Sequence, residues 1–172
     1  MFNNWLRKNQ VAMWLLTVVR IYLGYTWITG GIKKLTDGFD AGGFMKGAIA
    51  KAAGEHPAVQ NWWATFLKHG ALPSVKLFNI LIPLGETLVG IGLLLGTFAT
   101  FAALMGMVMN FAFLFSGSIS VNPQMILLEI FIVVAAANAG RIGLDYWVMP
   151  FLRNLFYKKQ DTPPASAPQS SI

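Results

Sequence analysis

The chain has 172 residues, of which 55% are hydrophobic and only 12% charged, with a formal net charge of +6. That length suggests one domain, but a soluble domain is about a quarter charged, so an integral membrane protein in contact with the lipid bilayer is the expected class. The Lys and Arg are scattered and often flank apolar runs, as anchors do. They form no aromatic-interleaved basic stripe, which argues against nucleic acid, and the lack of cysteine excludes disulfides, thiolate-bound iron–sulfur clusters and covalent haem in this chain.

The first apolar run covers about residues 11–32 and is closed by Lys33 and Lys34. Arg7 and Lys8 before it imitate a signal peptide. The run is too long for that, holds Arg20 inside it and lacks a small-x-small cleavage site, so it reads as an uncleaved helix. The connection from Leu35 to Ser74 contains two amphipathic segments. One lies at about 42–53. The other, at about 57–69, presents Val59, Trp62, Trp63, Phe66 and Leu67 at helical spacing, opens at Pro57 and stops near Gly70. Such segments lie on the membrane surface or cap the mouth of a bundle. His56 and His69 fall in this connection and read as solvated, since no further ligands stand near them for a metal or haem.

Three more apolar runs follow at about 75–96, 98–115 and 123–140. Each of the four runs has about 18–22 residues, enough to cross a bilayer as a helix. The links between the last three are short, which makes neighbours antiparallel. The predicted fold is therefore an all-α membrane protein, a four-transmembrane-helix antiparallel bundle. It forms one domain over 1–159. After Gly140, Tyr146, Trp147, Phe151, Phe156 and Tyr157 with Arg153, Lys158 and Lys159 suggest a second interfacial helix, interrupted at Pro150. Residues 160–172 are Pro/Ser/Ala-rich and read as a disordered tail. An even number of spans puts both termini on one side; the flanking cations are balanced, and the reading leans to cytoplasmic termini in a cell membrane.

The informative residues sit inside the spans: Arg20, Glu86, Asn110 and Glu129. Ionisable groups there are costly unless paired or facing water. Counted at about 1.5 Å per residue from the inner face, Arg20 lies at about 14 Å, Glu86 at about 15 Å, Asn110 at about 18 Å and Glu129 at about 16 Å. The depths predict convergence near the midplane. Arg20, Gly24, Trp27 and Gly31 share one stripe, and Asn79, Pro83, Glu86 and Gly90 another; their small residues allow close approach. One arginine facing two glutamates is neutral when one carboxylate is ionised and the other protonated. The expectation is that Arg20 pairs with one glutamate, either as a structural lock or as part of a ligand or proton site. A second polar cluster, Asn138, Arg141 and Asp145, shares a face if the last helix continues, with Arg141 and Asp145 in i, i+4 contact.

The segments VVRIYLGYTWITGGIKKL, IPLGETLVGIGLLLGTFATFAALMG and ANAGRIGLD, in this order, resemble the patterns of the DoxX family. These are an Arg with a following Gly and a terminal Gly-x-x-Lys, then a Glu before a Gly-rich helix and short turn, then a closing Gly-rich stretch with Asp. The resemblance covers about 11–150 and is nearer the DoxD-like branch, which includes the small subunit of thiosulfate:quinone oxidoreductase. It implies a four-helix membrane protein, often an oxidoreductase subunit near the quinone pool, with Arg20, Glu86 and Asp145 as family polar residues. Other members of this mixed family are linked to redox-stress complexes and to cargo or assembly roles.

Three readings follow. The first is a subunit of a quinone-linked system, with quinone as the implied ligand, hydrogen-bonded by or exchanging protons with Arg20, Glu86 and Glu129, with Asn110 as a further candidate and Trp27 and Met107 lining the apolar part. Having no electron carrier of its own, the chain then needs a redox partner subunit, soluble or membrane-bound; a homo-oligomer is also compatible. The second is a non-enzymatic binding or assembly protein that holds a partner's helix in the same groove. The third, a solute carrier, is disfavoured because four spans leave little room for alternating access.

Overall fold

The computed structural model describes residues 1–157, all of whose regular elements are helical. A short helix α1 (Phe2–Lys8) turns at Asn9 into the long helix α2 (Gln10–Asp37). The Asn9 side chain accepts from the amides of Val11 at 2.7 Å and Ala12 at 3.3 Å, capping donors that a helix start otherwise leaves unpaired. Then come α3 (Ala41–Ala50) and α4 (Asn61–Phe66), a wide π turn at Leu67–Ala71 and a 3-10 turn at Leu72–Ser74. The chain continues into α5 (Val75–Leu95), α6 (Ala99–Phe115), α7 (Asn122–Ala135), α8 (Ala137–Gly140) and α9 (Asp145–Tyr157).

Helices α2, α5, α6 and α7 pack as an antiparallel four-helix bundle, with α2 against α5 and α6 against α7 as the main seams. Two helical stretches, Gln10–Asp37 and Asn61–Leu95, are long and apolar enough to cross a membrane, and Ala99–Phe115 and Asn122–Ala135 are shorter apolar helices. The outer face is apolar, with Val18 at 66%, Leu88 at 57%, Val108 at 57% and Leu127 at 62% exposure, while Arg20, Glu86, Asn110 and Glu129 are buried. This is the distribution expected of a bundle whose solvent is lipid.

Glycines set the α2–α5 register. A Cβ on Gly24 would come within 2.8 Å of the Leu94 amide nitrogen, and one on Gly90 within 2.6 Å of that of Ile28. The two backbones thus meet where only glycine fits. In this register Arg20 lies beside Gly96, and Gly30 lies beside Glu86. The ends of the two helices are therefore not level, because α2 runs on past the end of α5 by about ten residues, or roughly 15 Å.

The fold departs from the sequence expectations at five places. The first long helix does not stop at Lys34 but ends at Asp37, before Gly38 with φ 81°. Pro57 opens no helix, and the segment after it does not stop at Gly70. It passes through the π and 3-10 turns into α5, an arrangement that accommodates Pro73, whose missing N–H cannot serve a regular helix. Within it Val59 and Leu67 are buried while Trp62 and Phe66 are exposed. The run 123–140 is broken at Ala136 (φ 51°, ψ −125°), where α1 docks: the Arg7 Nε donates to the Val134 carbonyl at 2.9 Å. α9 runs through Pro150 instead of breaking there. α1 itself was not expected. The tail at 160–172 and the cations Lys158 and Lys159 lie outside the described residues.

The connection between α2 and α5 covers one mouth of the bundle. Ala41, Met45, Ala48, Leu67 and Ala71 form a small core of their own. Asn79 accepts from the Ala41 amide at 2.8 Å, the Trp63 indole donates to Ser116 Oγ at 2.9 Å, and Lys51 donates to the Gly117 carbonyl at 3.0 Å. These bonds fix α3 and α4 over the ends of α5 and α6.

Candidate functional site

One stripe of α2 carries the polar interior. Arg20, Trp27 and Lys34 are spaced by seven residues, two turns or about 10.5 Å each, with Gly24 and Gly31 between them. All three turn inward, but each reaches different partners.

Arg20 lies at the closed end of the bundle. Its guanidinium donates through Nη2 to the Ile142 carbonyl, in the loop between α8 and α9. Gly96 (φ 64°) and Gly143 pack directly against it, and any side chain at Gly96 would occupy the guanidinium's place. Its Nε and Nη1 are buried and have no hydrogen-bond partner among the described residues. Asp145, the other polar residue the resemblance implies near this end, is engaged elsewhere. Its oxygens accept from the amides of Phe98 at 2.6 Å and Ala99 at 2.9 Å, capping the start of α6.

The middle level is a neutral-donor clamp on Glu129. The Trp27 Nε1 donates to one carboxylate oxygen at 2.8 Å and the Asn110 Nδ2 to the other at 2.9 Å. Gly106 makes room for this, since a Cβ there would run into the Glu129 carboxylate and come within 3.0 Å of the indole nitrogen. Glu129 and Asn110 are fully buried, and the Asn110 Oδ1 has no hydrogen-bond partner among the described residues.

The third level faces a cavity. Lys34 Nζ lies 2.6 Å from each oxygen of Glu86. The ammonium also sits 5.3 Å from the ring centre of Phe113 and 5.7 Å from that of Phe39, in cation–π range. The ion pair and Trp27, Asn110, Ser118 and Asn122 line a chamber of about 460 Å³. Beside it an almost wholly apolar groove of about 810 Å³ runs along α5 and α6, beneath Trp63 and Phe66. Phe44 and Phe113 line both spaces and meet edge to face at 5.9 Å.

The structure thus brings together three of the residues expected from the sequence, Trp27, Asn110 and Glu129, with Glu86 on the wall of the adjoining chamber. It does not bring Arg20 to them, and the expected pairing of Arg20 with Glu86 or Glu129 is corrected. Among the described residues the one ion pair is Lys34–Glu86. The depth estimate failed because it levelled the ends of the runs, whereas the glycine contacts level Arg20 with Gly96. The second polar cluster is corrected too. Asn138 donates to the Leu6 and Asn9 carbonyls at 2.8 and 3.2 Å, Asp145 caps α6, and Arg141 is exposed. Met107, placed on the apolar side of the site, is half-buried and lines neither space.

Lys34 is the site residue that the sequence reading took for a flank. Two signals pointed to it: its heptad spacing from Trp27 and Arg20, and its place in Gly31-Ile32-Lys33-Lys34, a Gly-x-x-Lys. Among the described residues no cluster of His, Cys, Asp and Glu is arranged to hold a metal.

A family model described as DoxX matches residues 15–118, more than half of the chain. The matched stretch contains Arg20, Trp27, Lys34, Glu86 and Asn110 and ends before Glu129 and Asp145. No curated protein and no solved structure matches the chain.

Proposed function

Since the chain belongs to the DoxX family of membrane proteins, we propose that it is a multi-pass subunit of a membrane oxidoreductase system that binds quinone or another lipid-soluble ligand. In this reading the termini face the cytoplasm. The ligand's polar ring enters the chamber beside Lys34, Glu86, Trp27 and Asn110, and its tail follows the apolar groove. The observation that carries the reading is the junction of the two spaces at Phe44 and Phe113. A polar chamber that adjoins an apolar groove on the lipid-facing side suits a molecule with a polar ring and a long apolar tail. Both volumes are in the range of small-molecule sites, about 300–1,000 Å³. Arg20 is outside this site and holds the closed end of the bundle.

The residues divide the work by chemistry. The Lys34 ammonium, steadied by Glu86 and by two aromatic faces, offers a cationic donor to a ring oxygen. Asn110 and Trp27 form the floor, and Glu129 behind them fixes their orientation. The chain has no cysteine and so no thiolate-bound electron carrier; electrons reach or leave the ligand through a partner subunit.

Lipid extraction of the purified protein followed by mass spectrometry tests the reading. Quinone is expected to co-purify with the parent and to be depleted in Phe113→Ala, which opens the junction. Absence of any ring-headed lipid from the parent would overturn it. The alternative, an assembly protein that holds a partner's helix, draws support from the groove's length. It runs from Phe78 to Leu95 on α5, about 25 Å by helix rise. A stoichiometric protein partner without quinone would favour that alternative.

A further inference from the structure

The two ends of the bundle carry different kinds of cation. Arg7, Arg20, Arg141 and Arg153 are all the arginines of the chain, and they lie toward the closed end, where α1 packs on α8 and the start of α9 is bonded to the turn after α5. The covered mouth has lysines and no arginine, and Asp37, Asp40 and Glu55 stand among them. At the closed end the one carboxylate among the described residues is Asp145, and its oxygens are taken by the amides of Phe98 and Ala99. Arg7, Lys8, Arg141 and Arg153 are exposed, and none of them is in an ion pair among the described residues.

The fold gathers three of these cations. Asn138 on α8 donates to the Leu6 and Asn9 carbonyls at 2.8 and 3.2 Å, which sets Arg7 and Lys8 against the short helix that ends at Arg141. Arg7 is steadied through its Nε on the Val134 carbonyl at 2.9 Å, and this leaves its two Nη groups for another acceptor. The same segments carry exposed aromatic rings. Phe2 and Trp5 stack on α1 at 6.0 Å, and Tyr146 and Trp147 meet edge to face on α9 at 5.3 Å. Exposed rings beside cations are the pattern of the headgroup level of a bilayer.

We infer that the closed end binds the headgroup phosphate of an anionic membrane lipid, held by Arg7, Lys8 and Arg141. A guanidinium presents a planar fork that matches two phosphate oxygens, and the Lys8 ammonium adds a point charge beside it. A headgroup with net negative charge is preferred over a zwitterionic one, whose own cation is repelled by a surface that already has cations in excess. A lipid held there bridges α1 to α8 and so braces the joint at the Ala136 break, where the Arg7–Val134 bond is the existing clasp. The inference is independent of the ligand-binding reading, which concerns the opposite half of α2.

Native mass spectrometry of the detergent-purified full chain, titrated with phosphatidylglycerol and with phosphatidylcholine of the same acyl chains, tests this. Phosphatidylglycerol is expected to bind about tenfold or more tightly. Lys8→Gln combined with Arg141→Gln is expected to bring the two lipids together, while Arg7 stays in place to keep its bond to Val134. Lys46→Gln combined with Lys68→Gln removes the same charge from the other end and is expected to leave the preference as it is. Equal binding of the two lipids by the parent overturns the inference, and that comparison needs no variant. An equal loss in both double variants overturns it as well, since net charge alone would then be the attraction. Displacement of phosphatidylglycerol by inorganic phosphate would show a site for the free ion and would also overturn it. None of these outcomes bears on whether quinone co-purifies.

Discussion

The two ends of α2 hold buried cations by opposite means. At Arg20 the charge is met by a backbone carbonyl and enclosed by two glycines, with no carboxylate in salt-bridge contact among the described residues. At Lys34 the charge is met by Glu86 in a two-pronged contact, stacked between aromatic faces and open to a chamber. Arginine suits the first setting because its planar fork can bind a carbonyl deep in the bundle and stay charged; lysine suits the second because its flexible stem lets a point charge reach across to Glu86. The same stripe of one helix thus holds the closed end of the bundle at one level and lines a polar chamber at the other.

The contrast can be broken most severely at Gly96. Gly96→Val puts a side chain where the Arg20 guanidinium lies and imposes φ 64° on a β-branched residue. A loss of about 4 kcal/mol or more is expected, read as failure to recover a monodisperse protein on size-exclusion chromatography in detergent. Recovery at the parent's level would mean that the closed end is looser than described.

Next in size is Lys34→Met, which leaves Glu86 buried without its cation and is expected to cost about 3 kcal/mol. Adding Glu86→Gln removes the stranded charge, and most of the loss should return in the double variant. Denaturant unfolding in mixed micelles measures the coupling; strictly additive losses would argue that the two side chains do not meet.

Arg20→Met removes one charged hydrogen bond and a guanidinium with two unpartnered nitrogens. The expected loss is smaller, about 2 kcal/mol. It should add to that of Glu86→Gln or Glu129→Gln without coupling, because both glutamates are engaged by other side chains, Lys34 and the Trp27–Asn110 pair. A rescue of Arg20→Met by either glutamine would restore the pairing that the structure replaces.

The smallest effect on stability is expected from Trp27→Phe, about 1.5 kcal/mol for one donor to Glu129. Its use is in sharpening the ligand side of the comparison. With Trp27 gone, one Glu129 oxygen loses its donor at the chamber floor, and the amount of co-purified quinone should fall while Arg20→Met leaves it unchanged. The same lipid extraction and mass spectrometry reads both variants.

Much of the site was legible in the sequence, and for a definite reason. Arg20, Trp27, Glu86, Asn110 and Glu129 are conspicuous because polar side chains in apolar helices are costly, so their presence alone marks an interior. The inner stripes of α2 and α5 also follow from helical periodicity, and Gly24, Gly31 and Gly90 mark the close seam. Partner choice was not legible, because pairing depends on the vertical register of two helices. That register came from backbone contacts at Gly24 and Gly90, not from the ends of the apolar runs. The break at Ala136 and the run-through at Pro73 were hidden for a related cause: local propensity was overridden where α1 docked or where the π and 3-10 turns absorbed the missing donor.

Composition and periodicity by themselves determined that this is an all-α membrane protein with a polar interior, because those properties depend on each residue's own transfer energy and on the 3.6-residue repeat. Only the tertiary structure decided which charge meets which, that Lys34 belongs to the interior, and that a polar chamber adjoins an apolar groove. Those features depend on how far one helix slides along another, and a single turn of sliding, about 5.4 Å, exchanges one set of partners for the next.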